Sequence, residues 1–219
     1  MSMRKIILFI VLFKTCYLPA QQLAVEANGL YIYSGQWDRA IQTLNFSTPQ
    51  FGIQPLLQFG AGIGASYYFK NLQQGLQLNY GLVRSVNEVP GRKTAFELHQ
   101  LNLHYLYAPK LFKKETLHFV ISGGFVSTML LKRINSAYYT YDDQLAKAVG
   151  IGPDFAVQFK YTLGVGDAFQ WQPFIRAGYS PFLWSPKSEA IINHTNGMSS
   201  NDYTMLLRAQ VGIEIHLIK

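Results

Sequence analysis

Residues 95–132, AFELHQLNLHYLYAPKLFKKETLHFVISGGFVSTMLLK, leave few folds open to this chain. Leu101, Leu103, Tyr105 and Tyr107 share one parity, and Gln100, Asn102 and His104 the other. A break at Pro109 with Lys110, Lys113 and Lys114 follows. The alternation then resumes, with Leu117, Phe119, Ile121, Phe125, Met129 and Leu131 opposed to His118, Ser122, Thr128 and Lys132. Successive side chains of a strand point to opposite faces, so sustained period-two alternation predicts two strands joined by a turn. Strands of soluble proteins usually run ~5–6 residues, whereas crossing an outer membrane takes ~9–11. The stretch therefore predicts one hairpin of a transmembrane β-barrel.

The same pattern recurs along the chain. Further strands are predicted at 23–33, 54–69, 76–86, 149–163, 171–184 and 203–217, which with the hairpin makes eight. In the first, Val25, Ala27, Tyr31 and Tyr33 face outward and Glu26 and Asn28 inward; in the last, Met205, Leu207, Val211, Ile213 and Ile215 oppose Arg208, Gln210, Glu214 and His216. The connections are expected to alternate long and short, with a loop at Glu88, Pro90 and Gly91, a polar loop over 134–147 and the longest at 185–202. Short periplasmic turns and longer external loops give that asymmetry. The apolar phase shifts between Phe96/Leu98 and Leu101/Leu103, which predicts a β-bulge near His99-Gln100. The fold class expected is all-β, an eight-stranded antiparallel up-and-down transmembrane barrel.

The amino terminus reads as a secretory signal over 1–20. Arg4 and Lys5 precede a short apolar core at 6–13, and Leu18-Pro19-Ala20 offers a cleavage site. Lys14 and Thr15 argue against Cys16 as a lipid-attachment site. Residues 21–219 then form a single barrel domain. The formal charge of +7 loses Arg4, Lys5 and Lys14 with the leader, so 7 − 3 leaves +4. That mild, dispersed excess argues against nucleic acid as a partner. Aromatic content of 15% beside only 14% charged residues suits a wall that faces lipid. The expected location is the bacterial outer membrane, with its lipid and other envelope proteins as partners.

Phe59-Gly60-Ala61-Gly62, the strand and turn over 103–110, Gly123-Gly124 and Gly150-Ile151-Gly152 resemble the outer-membrane barrels common in Bacteroidota, the porin-like group that includes PorT. More distantly they resemble the OmpX and OmpA barrels. The resemblance covers nearly the whole mature chain and implies an architecture more than an activity. Such barrels usually end on an aromatic residue, where this chain has His216-Leu217-Ile218-Lys219.

Gly60-Ala61-Gly62-Ile63-Gly64-Ala65 matches a dinucleotide-binding pattern, but that motif must open a helix. Ser66-Tyr67-Tyr68-Phe69 continues the alternation instead, so the glycines read as room for bulky neighbours in a narrow lumen. Nothing else calls for a cofactor. The inward charges Glu26, Lys132, Asp154, Lys160, Arg176, Arg208 and Glu214 are expected to pair, since an eight-stranded barrel is filled by its own side chains. His99, His104, His118 and His216 show no metal-ligand spacing. His194, Ser199, Ser200 and Asp202 supply the residue types of a hydrolase, without the geometry that a catalytic role requires. Trp171 and Trp184 read as an interfacial aromatic belt, with Trp37 also near a predicted strand end, and Tyr138, Tyr139 and Tyr141 as a candidate contact surface in an external loop. Together these features describe a non-enzymatic structural or binding platform; a lipid-modifying hydrolase and a small porin are the alternatives.

Overall fold

The computed structural model describes residues 22–35, 37–38, 42, 55–56, 58–69, 73–111, 116–136, 144–165, 169–184 and 204–217. Nine strand segments are formed among them: β1 (Gln22–Tyr33), β2 (Phe59–Tyr68), β3 (Gln74–Val89), β4 (Arg92–Tyr107), β5 (Leu117–Ser136), β6 (Gln144–Tyr161), β7 (Leu163–Val165), β8 (Phe169–Trp184) and β9 (Thr204–Leu217). The three-residue β7 continues β6 beyond Thr162, so the segments make eight staves. Each stave pairs antiparallel with its sequence neighbours. Pairing of β1 with β9 completes the ring, a closed eight-stranded barrel whose staves are all paired on both sides.

Three expectations are corrected. The register of β4 against both β3 and β5 runs unbroken through His99 and Gln100, so there is no bulge there. The shift of apolar phase is a change in what faces the lumen: Phe96 and Leu98 point inward, on the same parity as Gln100, Asn102 and His104. The loop expected at Glu88–Gly91 is a two-residue turn, with Val89 paired to Arg92. Pro90 presets the first turn position, and Gly91, at φ 76°, supplies the positive angle that a type II turn needs next. Finally, β2 begins at Phe59 rather than at 54, because Pro55 has no N–H to give to a ladder.

The β6–β8 ladder carries a lesion. Its pairs run Gly150↔Trp184 and Ile151↔Leu183, then resume at Phe155↔Tyr179. At the skipped rungs the register sets Pro153 opposite Pro181, and neither can donate a backbone hydrogen bond. Both prolines pair normally on their other sides, with Phe125 and Met205.

The outer face is apolar. Phe59, Ile63, Leu78, Leu101, Leu103, Phe125, Phe155, Ile175, Leu207 and Val211 are all large, outward and exposed. A closed barrel with such a band belongs in an outer membrane, where lipid covers it. Trp171, exposed near the start of β8, sits as a belt residue does. Trp37 is buried against Leu30, Ile32, Val83, Phe96, Leu98, Leu130, Ala148 and Leu206, an apolar layer across the lumen at the end that carries connections 34–58 and 185–203. Ala24, Tyr68, Leu106 and Val120 form a smaller cluster at the opposite end. The polar residues of the lumen lie between the two.

Candidate functional site: the lumen network

Alternation alone brings the buried charges together. Glu26 on β1, Asp154 and Lys160 on β6, Arg176 on β8, and Arg208 and Glu214 on β9 occupy inward parities, and each side chain is at most 3% exposed. They form three ion pairs, three cations against three carboxylates. Arg176 grips Glu26 with a bidentate fork, Nη1 to Oε1 at 2.9 Å and Nη2 to Oε2 at 2.7 Å. Lys160 donates to Glu214 at 2.5 Å. Arg208 donates to Asp154.

Each carboxylate collects further donors, as a buried charge requires. Gln77 donates to Glu26 at 3.0 Å and Asn28 at 3.2 Å. Ser180 donates to Asp154 at 2.8 Å, and His104 Nε2 lies 2.6 Å from its other oxygen. Tyr68 donates to Glu214 at 2.8 Å and accepts from Lys160, while its ring stacks on His216 at 5.2 Å. Gln210 and Gln158 accept from Arg176 at 3.1 and 3.2 Å.

All of these ion pairs skip a stave. Arg176–Glu26 reaches over β9, while Lys160–Glu214 and Arg208–Asp154 reach over β8; His104–Asp154 likewise reaches over β5. The network is therefore a set of chords across the curvature of the barrel. It is concentrated where β6, β8, β9 and β1 meet. Asp154 and Ser180 occupy one of the rungs that the β6–β8 ladder lacks, so a side-chain hydrogen bond replaces backbone bonds there.

Gly64 makes the network possible. A Cβ at this inward position would strike the Asn79 amide and come within 2.9 Å of Glu26 Cγ. The glycine-rich strand thus serves as clearance, and β2 continues as a strand through Tyr68 with no helix to hold a pyrophosphate.

Lys132 on β5 stands beside the apolar layer, its ammonium 5.7 Å from the centroid of the Phe96 ring. Tyr68, Gln77, His104 and Ser180 are members that charge alone did not single out, though their inward parity marked them. Of the other histidines, His118 lies 3.0 Å from Thr162 Oγ1, and His99 faces outward, 2.6 Å from the Tyr80 hydroxyl. Among the described residues no three His, Cys, Asp or Glu side chains are grouped to hold a metal ion. Residues 1–20 and the loop residues Tyr138, Tyr139, Tyr141, His194, Ser199, Ser200 and Asp202 lie outside the described residues.

The sequence matches no protein-family model and no curated protein. Solved structures of similar form include the attachment invasion locus protein Ail of Yersinia pestis, in complex with the heparin analogue sucrose octasulfate (9% identity, 90% of this chain and 97% of that one, TM-score 0.47). A major outer membrane protein of Thermus thermophilus shares 9% identity over 90% of this chain and 99% of its own, with a TM-score of 0.49. Neisserial surface protein A shares 13% identity over 90% and 96%, with a TM-score of 0.41. Likenesses of this degree bear on neither activity nor partner.

Proposed function

We propose that this chain is a non-enzymatic outer-membrane barrel that serves as a structural or binding platform, an accessory subunit of an envelope or secretion complex of the PorT type. The observation that carries this reading is the filled lumen. Three neutralised ion pairs occupy its middle, and an apolar layer built on Phe96, Leu98 and Leu130 lies across its outer end. Among the described residues that interior is filled by paired and packed side chains, which supports a function carried by the wall and the external loops. In this reading residues 1–20 are a cleaved leader. Glu26, Lys132, Asp154, Lys160, Arg176, Arg208 and Glu214 act as internal bracing, and Tyr138, Tyr139 and Tyr141 form the contact surface for an envelope protein.

The test is purification of the tagged chain from native outer membrane in mild detergent, beside a Y138S/Y139S/Y141S variant. One envelope protein should copurify at a fixed ratio with the parent and be lost with the variant. Hydrolysis of outer-membrane lipid that disappears on His194→Ala or Ser199→Ala would overturn the reading.

A further inference from the structure

On three neighbouring staves the outward face changes from apolar to charged at adjoining positions. Going toward the long-loop end, β3 reads Leu76, Leu78, Tyr80, Leu82 and then Arg84; β4 reads Tyr105, Leu103, Leu101 and then His99 and Glu97; β5 reads Phe125, Ser127, Met129, Leu131 and then Arg133. Arg84 pairs in register with Glu97, which is flanked on β5 by Leu131. The charged groups form one cluster. Arg84 Nε lies 3.1 Å from one oxygen of Glu97, and Arg133 Nη2 lies 3.6 Å from the other. His99 Nε2 is 3.7 Å from the same carboxylate, and the Tyr80 hydroxyl holds the far side of its ring.

Exposure separates the members. Glu97 is 12% exposed, whereas Arg84 and Arg133 are 54% and 51% exposed. Glu97 therefore acts as a fixed post between two guanidinium groups. It takes one nitrogen from each, and both guanidinium side chains remain about half exposed. Two guanidiniums and one carboxylate leave an excess of one positive charge at the upper edge of the apolar face. Guanidinium N–H groups in a fixed fork match phosphate oxygens, and a cation at headgroup height is where a membrane presents them.

We propose that Arg84 and Arg133, held apart by Glu97, form a binding site for the phosphate of an outer-leaflet lipid. The proposal rests on the barrel standing in the outer membrane with connections 34–58 and 185–203 outside. The lipid's acyl chains would then run down the adjoining face of Leu101, Leu103 and Phe125, while its phosphate reaches both guanidiniums. Lys93 and Glu88, 3.0 Å apart on the same wall nearer the Pro90-Gly91 turn, neutralise each other and add no charge.

The experiment is native mass spectrometry of the refolded barrel in dodecyl maltoside, titrated with bisphosphorylated lipid A, its dephosphorylated form and inorganic phosphate. The parent should retain one lipid A. The Arg84→Gln/Arg133→Gln double variant should bind it about thirtyfold more weakly, two cations near a membrane surface being lost. Glu97→Gln, which removes the post and keeps the cations, should also weaken retention. Heat-modifiable migration on gels establishes that each variant is a folded barrel, which separates loss of this site from failure of the fold. Equal retention by the double variant, or equal retention of dephosphorylated lipid, would overturn the proposal. Equal retention of inorganic phosphate would overturn its assignment to a lipid.

Discussion

Arg176 on β8 holds Glu26 on β1 through two parallel hydrogen bonds, 2.7 and 2.9 Å long, although β9 lies between their strands. The pair joins residues 150 positions apart in the chain and both side chains are buried. It is thus a chord across the ring, and each partner's charge is tolerable only because the other is there.

That dependence sets the first prediction. Glu26→Gln leaves the Arg176 guanidinium buried without its counter-charge and should cost about 3–5 kcal/mol. The double variant Glu26→Gln/Arg176→Met removes both charges and should recover most of the loss. Urea midpoints of refolded barrel in detergent measure both. A double variant as unstable as the sum of the two singles would show that the two side chains act independently.

Gly64 is a second point of sensitivity. A methyl group there meets Asn79 and Glu26 head on, so Gly64→Ala should destabilise by about 1–3 kcal/mol through overpacking of the lumen. Gly123 offers the control, since a Cβ there meets only the Phe155 ring at 3.6 Å, an ordinary contact. Gly123→Ala should be neutral in the same denaturation series.

The opposed prolines of β6 and β8 predict a local weakness. Ser180 donates to Asp154 at the rung beside the opposed Pro153 and Pro181, within the stretch where the ladder is interrupted. Ser180→Ala should cost about 1 kcal/mol, the net worth of one hydrogen bond. It should also speed amide hydrogen exchange at Ile151 and Phe155 more than at β3 or β4. Uniform acceleration around the barrel would place the weakness elsewhere.

Phe96 packs in the outer apolar layer at 1% exposure. Phe96→Ala should cost about 3–5 kcal/mol in stability. It should leave the membrane passage closed, because the three ion pairs lie beneath it. A stability loss accompanied by ion conductance would show that the apolar layer is the sole seal.

Alternation made the ring legible from the residues alone, because lipid outside and side chains inside impose period two on every stave. Glu26, Arg176 and Glu214 could be placed inward on parity without coordinates. Their partners could not, because pairing that skips a stave depends on curvature and shear, which no local pattern records. Phe96 and Leu98 misled for a different physical reason. The lumen is polar in its middle and apolar at its outer end, so apolar side chains on the inward parity imitate a slipped register. The Pro90-Gly91 turn and the Pro153/Pro181 lesion were both written in the chain. The first is a local signal, whereas the second acquires meaning only when β6 and β8 are brought side by side.

The most direct test of a barrel sealed by its own side chains is planar-bilayer recording of refolded residues 21–219 at high potassium chloride. Three neutralised ion pairs under an apolar layer should give a flat current with no stable steps at either polarity. Reproducible ohmic steps from a preparation shown to be folded would contradict it.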